Sequence, residues 1–234
     1  MRMRKKKNLI PRMERCSEVL IRDPFEYRGK WRELFSPACE LHVEIGCGKG
    51  RFTVDTAQQN PDVFFIAIEK VPDAMVIAME RACALGLKNV RFISCDAAQI
   101  PEIFEEGEVD QIYINFCDPW PTKRHAKRRL THSNFLKLYR KVLKEQGQIH
   151  FKTDNAPLFE FSLEEIPTVG FSLSEVTHNL HENGPKGVMT DYEAKFYELG
   201  TPINRLVATM EDWTEPVVEE AEEQASGDEP TCEE

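Results

Sequence analysis

Asp118 ends an apolar run and is followed by Pro119-Trp120-Pro121, after which Thr122 leads into five cations: Lys123, Arg124, Lys127, Arg128 and Arg129. Proline fixes its own φ and biases the residue before it towards extended backbone, so this carboxylate is expected in a rigid turn. Trp120 offers a face on which a base can stack, or an apolar plug for the core. A dense run of Lys and Arg is the footprint of a phosphate backbone, or else the solvated start of a helix. Acid, aromatic and cations together imply a polyanionic substrate carrying a planar base, with a place for chemistry beside it.

A second constellation lies upstream. Glu44 precedes Gly46-Cys-Gly-Lys-Gly50, where Gly46, Gly48 and Gly50 allow a sharp turn and close approach of a ligand to the backbone. A dinucleotide fingerprint needs Gly or Ala at position 51, and Arg51 stands there, which disfavours a nicotinamide dehydrogenase. The alternative is S-adenosylmethionine, whose sulfonium and ammonium welcome a carboxylate and which has no pyrophosphate to repel it. Glu69 is placed to accept from ribose hydroxyls and Asp96 to face the adenine edge, unless each is an ordinary loop or capping acid, and Asp118 to hold the donor, the target base or both. Two further polar groups follow: Lys152-Thr-Asp154 ends a strand, so that Lys152 and Asp154 converge on the rim, and Thr190, Asp191, Tyr192 and Glu193 precede a helix as a polar entry or simply as its cap, Thr190 and Glu193 having capping-box spacing.

These residues need a scaffold that brings segments far apart in sequence to one edge. Short runs rich in β-branched and aromatic residues occur at 41–45, 63–68, 90–94 and 109–116, separated by helical patterns. The clearest pattern places Ala74, Met75, Ala78, Met79, Ala82 and Leu85 on one face and stops at Gly86. Ser133 is expected to cap a helix buried through Phe135, Leu138, Tyr139, Val142 and Leu143. Strands are expected at 147–153, 171–176 and 205–210, with helices at 156–166 and near 191–199. Alternation of this kind predicts an α/β fold: a Rossmann-like, doubly wound, mostly parallel sheet with helices on both faces, binding ligands beyond the strands' carboxyl ends.

The formal charge of −10 conceals a division. From Glu211 to Glu234 there are 11 acidic residues and no Lys or Arg, leaving 29 acids against 30 bases in the rest of the chain. The expected organisation is a flexible basic arm over 1–15, a catalytic domain over 16–212 and a disordered acidic tail over 213–234. Seven cysteines without a Cys-x-x-Cys pair suit a reducing cytosol rather than a disulfide framework. The scattered His and Cys offer no zinc site, and no apolar run suggests a membrane span or signal segment, so a cytoplasmic protein without metal or membrane partner is expected. Nothing decides between monomer and homodimer.

The combination of Glu44 with the glycine run, Glu69, Asp96, the Asp-Pro-Trp-Pro turn with its cations, Lys152–Asp154 and Thr190–Glu193 resembles the bacterial tRNA (guanine-N7)-methyltransferase family over roughly residues 8–210. The resemblance implies methyl transfer from S-adenosylmethionine to the guanosine at position 46 of the tRNA variable loop. It assigns Glu44, Glu69, Asp96 and Asp118 to the donor, with Asp118 catalytic, Asp154 and Thr190–Glu193 to the substrate, and Arg124–Arg129 to RNA. One departure is visible: the family commonly has Lys directly after the Pro-Trp-Pro turn, and this chain has Thr122, with Lys123 next. Two other readings remain open on the residues: a methyltransferase for an exocyclic amine, and a non-catalytic RNA-binding protein.

Overall fold

The computed structural model describes residues 6–35 and 40–214. Among these residues eight strands form one sheet: β1 (Leu20–Ile21), β2 (Glu40–Ile45), β3 (Val63–Ile68), β4 (Val90–Ile93), β5 (Val109–Asn115), β6 (Leu143–Thr153), β7 (Phe171–Thr177) and β8 (Asn204–Met210). Their order is β1-β4-β3-β2-β5-β6-β8-β7. The pairs are parallel except β6 with β8 and β8 with β7. Seven α-helices accompany them among the described residues: α1 (Leu9–Arg15), α2 (Arg51–Gln59), α3 (Pro72–Ala84), α4 (Ile100–Ile103), α5 (Ser133–Val142), α6 (Ala156–Glu165) and α7 (Asp191–Glu198). This is the expected doubly wound architecture.

Side chains alternate across a strand, so an unbroken apolar run must be covered on both faces. In β3, Phe64, Ile66 and Ile68 enter the core with Leu136, Tyr139 and Phe159 of α5 and α6. Phe65 and Ala67 enter the opposite core with Val54 of α2 and Met75, Ala78 and Met79 of α3. The parallel register levels the strand ends. Ile45 pairs with Ile68 and Ile114, Ile68 with Ile93, and Ile114 with Phe151. The segments after β2, β3, β4, β5 and β6 therefore emerge along one edge. Between β2 and β5 the strand order reverses direction, the switch point where such sheets bind ligands.

Four expectations change. The arm expected over 1–15 contains α1, which lies against α3 because the Arg12 guanidinium donates to both oxygens of Glu80 at 2.7 and 2.5 Å. Residues 1–5 of that arm lie outside the described residues. His132, not Ser133, caps α5: its Nδ1 accepts from Asn134 N at 3.1 Å, while Ser133 N donates to Glu165. β6 starts at Leu143 rather than at residue 147, continuing directly from α5 through Gln146, which adopts φ 61°. Trp213, placed in the tail by sequence, packs onto Gly170 with the Arg140 guanidinium 5.3 Å from its ring. The rest of the tail, 215–234, lies outside the described residues. No helix among the described residues is long and apolar enough to cross a membrane.

The start of α2 illustrates how tightly the site is built into the core. Gly50 has φ +75°, and a Cβ there would lie 2.3 Å from the Cβ of Ala78 in α3. Gly50→Ala should therefore lower the unfolding free energy by about 1–3 kcal/mol through overpacking alone, with strain from the left-handed backbone in addition. Chemical denaturation reads this directly. A variant as stable as the parent would contradict the close approach.

Candidate active site

The glycine loop turns at the carboxyl end of β2, held by Gly46 N and Cys47 N, which both donate to Ile68 O at 2.8 and 3.1 Å. Gly48 N donates to Glu69 Oε2 at 2.8 Å, and Glu69 Oε1 accepts from Val71 N at 2.8 Å, so the acid ending β3 is fixed against both the loop and the start of α3. Asp96, past β4, caps the next turn by accepting from Ala98 N at 3.0 Å, and its other oxygen meets Lys70 Nζ at 2.6 Å. These two interactions, the Lys70 cation first, hold the Asp96 carboxyl below the ordinary carboxylate range. Nothing lies within 4 Å of where a Cβ would stand on Gly46 or Gly48, so the loop borders open space that a side chain would fill. Two of the predicted acids, Glu69 and Asp96, thus follow strands on the edge where the open glycine loop lies. The fit favours a cationic ligand such as S-adenosylmethionine over a pyrophosphate.

Glu44 behaves differently from the other two. It is buried at 3% exposure, accepting from Thr53 Oγ1 on one oxygen and from Asn115 Nδ2 at 3.0 Å on the other. Burial raises its carboxyl, against the opposing pull of those two donors and of Lys152. Lys152, expected on the rim, is buried as well. Its Nζ donates to Glu193 Oε2 at 2.6 Å and to Val188 O at 3.1 Å, and lies 5.0 Å from the centre of the Phe52 ring. Burial lowers its ammonium and Glu193 raises it. His181 Nδ1 accepts from Lys186 N at 3.2 Å, leaving the Nε2 proton to be donated to Glu193 Oε1 at 3.0 Å. Sequence reasoning missed His181 and Asn115 because neither lies in a recognisable motif.

Beyond β5 the chain reaches Asp118 and its turn through two strained points: Phe116 at φ 54° and Trp120 at φ 40°. Left-handed backbone at such residues costs on the order of 1–3 kcal/mol and requires support from its surroundings. Phe116 N donates to Lys152 O at 2.9 Å, tying the turn to β6. Asp118 is exposed, and its carboxylate makes no hydrogen bond or ion pair among the described residues. Cys117 beside it is no nucleophile, since burial and the Asp118 charge push its thiol up to about 12. Thr122 precedes a 3-10 turn, Lys123–Arg128, from which Lys123, Arg124 and Lys127 project into solvent without ion-pair partners among the described residues. Arg128 lies over the Trp120 ring at 4.9 Å. Arg129, expected to contact RNA, turns inward to the carbonyls of Pro119 and Trp120 instead.

The group at 190–193 divides similarly. Thr190 and Glu193 form the expected capping box of α7, and Glu193 is fully buried. Glu193 is therefore closed to a ligand, its carboxylate taken up by Lys152, His181 and Thr190 N. Asp191 is engaged by Arg81 of α3 at 2.9 and 3.2 Å. Tyr192 is left exposed at 57%, with its ring stacked on Phe196, which in turn stacks on Phe116 next to the Asp118 turn. Asp154 is exposed, directly after the end of β6.

Fold and site together define a methyltransferase of the Rossmann-like class. A family model described as "Putative methyltransferase" matches residues 39–206. The chain is 46% identical to the tRNA (guanine-N(7)-)-methyltransferase of Geobacillus kaustophilus over 89% of its length and 96% of the relative's. It is 45% identical to the enzyme of that name from Bacillus velezensis, over 88% of this chain and 95% of the other. The chain belongs to the tRNA (guanine-N7)-methyltransferase family. Its fold is also similar to that of the 16S rRNA methyltransferase KamB, with a TM-score of 0.59 over 79% of this chain and 92% of that one at 15% identity.

The burial of Glu44 has a thermodynamic signature. Its carboxyl is raised in the fold, so the native state disfavours the ionised form: stability is full below the ordinary carboxylate value and falls as pH rises through the raised one. Gln can replace it if the Asn115 amide turns over, since Asn115 Oδ1 is buried without a hydrogen-bond partner and can then accept. Glu44→Gln should therefore be at least as stable as the parent near about pH 8, with the difference shrinking near about pH 4. Denaturant unfolding at both pH values checks this. A larger advantage for Glu44→Gln at the lower pH would contradict it.

Proposed function

We propose that the chain transfers the methyl group of S-adenosylmethionine to N7 of guanosine in tRNA, at position 46 of the variable loop, forming 7-methylguanosine. The observation that carries this is the placement of Asp118: an exposed carboxylate, unpartnered among the described residues, set on a strained turn between the glycine cradle and a strip of free cations. The bound donor supplies an electrophilic methyl carbon on a sulfonium. Glu69 and Asp96, fixed by Gly48 N and Ala98 N, would hold its ribose and adenine, and the buried Glu44 would offer a negative charge to its cationic end.

Guanine N7 carries its own lone pair, so the N–C bond forms as the S–C bond breaks without prior loss of a proton. The protein's task is then orientation, which supplies on the order of 7–11 kcal/mol of barrier reduction in favourable cases. Asp118 anchors the reacting groups and stabilises the positive charge that develops on the purine, rather than acting as a base towards N7. Freeing a loop base from its stack costs roughly a few kcal/mol, offset by interactions with the RNA backbone. Lys123, Arg124, Lys127 and Arg128 provide these, and Thr122, Asp154 and Tyr192 are the exposed groups available to the target nucleotide.

Incubating the protein with labelled donor and unmodified tRNA, then digesting and mapping the product by mass spectrometry, should give 7-methylguanosine in the variable loop. Methyl on an exocyclic amine, or none, would contradict the proposal. Asp118→Ala should lose most turnover while binding tRNA normally, and near-parental turnover would remove Asp118 from the mechanism. Replacing Lys123, Arg124 and Lys127 together by Ala should reduce the slope of log affinity against log salt by about 0.7 for each phosphate no longer neutralised. An unchanged slope would place the RNA elsewhere.

A further inference from the structure

Arg129 is the one member of the cation strip whose charged group turns away from solvent. It follows the 3-10 turn, where its N–H donates to Ala126 O at 2.9 Å and its carbonyl accepts from His132 N at 3.0 Å. The guanidinium Nε donates to Pro119 O at 3.2 Å and Trp120 O at 3.3 Å, and Nη2 donates to Trp120 O at 3.1 Å. Its central carbon lies 4.4 Å from the ring centre of Phe161 in α6. The planar group is thus clamped between an aromatic face and two successive backbone carbonyls, a geometry that a Lys point charge cannot reproduce. The carbonyls belong to the residues directly after Asp118, and Trp120 is one of the turn's two strained positions. The Trp120 ring is met by Arg128 at 4.9 Å and edge-on by His125 at 5.8 Å. The strip that faces RNA is therefore folded back onto the turn that carries the acid.

We propose that Arg129 is a positioning residue: it holds the Asp118–Trp120 turn in its strained form for methyl transfer and neutralises no phosphate. This rests on the proposed role of Asp118. Free cations of the strip contribute to RNA affinity and to its salt dependence; Arg129 contributes to the rate through Asp118.

The test compares the parent, Arg129→Lys and Arg129→Ala in single-turnover methylation of tRNA, in tRNA affinity over a range of salt, and in donor affinity. Arg129→Lys should keep the parental salt slope while its rate falls by about 10- to 100-fold, the scale of a misplacement of about 1 Å, and by much more than its donor affinity. Adding methylguanidinium at millimolar concentration should restore part of the rate of Arg129→Ala, and methylammonium should not. Arg129→Lys turning over like the parent overturns the proposal. So does a slope reduced by about 0.7 in Arg129→Ala with its rate intact, which marks Arg129 as a phosphate ligand. Equal loss of rate and donor affinity in Arg129→Lys, with no rescue of Arg129→Ala, also overturns it in favour of a general folding role. If the parent itself transfers no methyl group to tRNA, the underlying function fails instead, and the two failures are told apart.

Discussion

Parallel pairing of β2 with β3 and β5 is the constraint from which the site takes its form. Because Ile45, Ile68, Ile93, Ile114 and Phe151 lie level across five strands, the residues after each meet along one edge. Glu69, Asp96, Asp118 and Asp154 come from distant parts of the chain and lie along one edge only because the register does not slip. A shift of one residue would turn each strand's side chains over and disperse them. Two apolar cores hold that register, one on each face, with Phe64, Ile66 and Ile68 locked into one and Phe65 and Ala67 into the other.

The edge carries more charge than a core tolerates, and the fold manages it in layers. Acids at the rim are fixed by backbone N–H groups, as Glu69 is by Gly48 and Val71. One layer down, Glu44 meets Thr53 and Asn115, while Lys152 and Glu193 form a buried ion pair that His181 completes as a hydrogen-bond donor. Removing one partner of such a cluster leaves an uncompensated buried charge, a loss of roughly 3–5 kcal/mol. The cluster ties β6 to α7 and to Val188, so the helix bearing Tyr192 is held to the sheet by these side chains. Arg81 with Asp191 adds a second tie, from α3.

Much of this is legible in the chain. Strand interiors show as unbroken apolar runs because they are covered twice, and acids just past them stand out against that background. The glycine spacing and Arg51 are enough to discriminate between cofactor classes. What sequence conceals is direction. Arg129 reads as one more cation of a strip, yet the adjoining carbonyls and Phe161 draw it inward. Glu193 reads as a surface acid of a polar motif, yet Lys152 and His181, 41 and 12 residues away, bury it. His132 caps α5 in place of Ser133 because its imidazole reaches Asn134 N while Glu165 takes the Ser133 N–H, an arrangement set by the packing of α6. The arm residues of α1 look solvated until Glu80 supplies a partner for Arg12.

Every proposed role requires the donor to lie at the switch point, over the glycine loop and within reach of Asp118. A crystal structure with bound S-adenosylhomocysteine tests this most directly. The expected result is ribose hydroxyls at Glu69, adenine beside Asp96, and the thioether sulfur facing the space above Asp118. Density for the ligand on the opposite edge of the sheet, or across the cation strip with the glycine cradle empty, would contradict it.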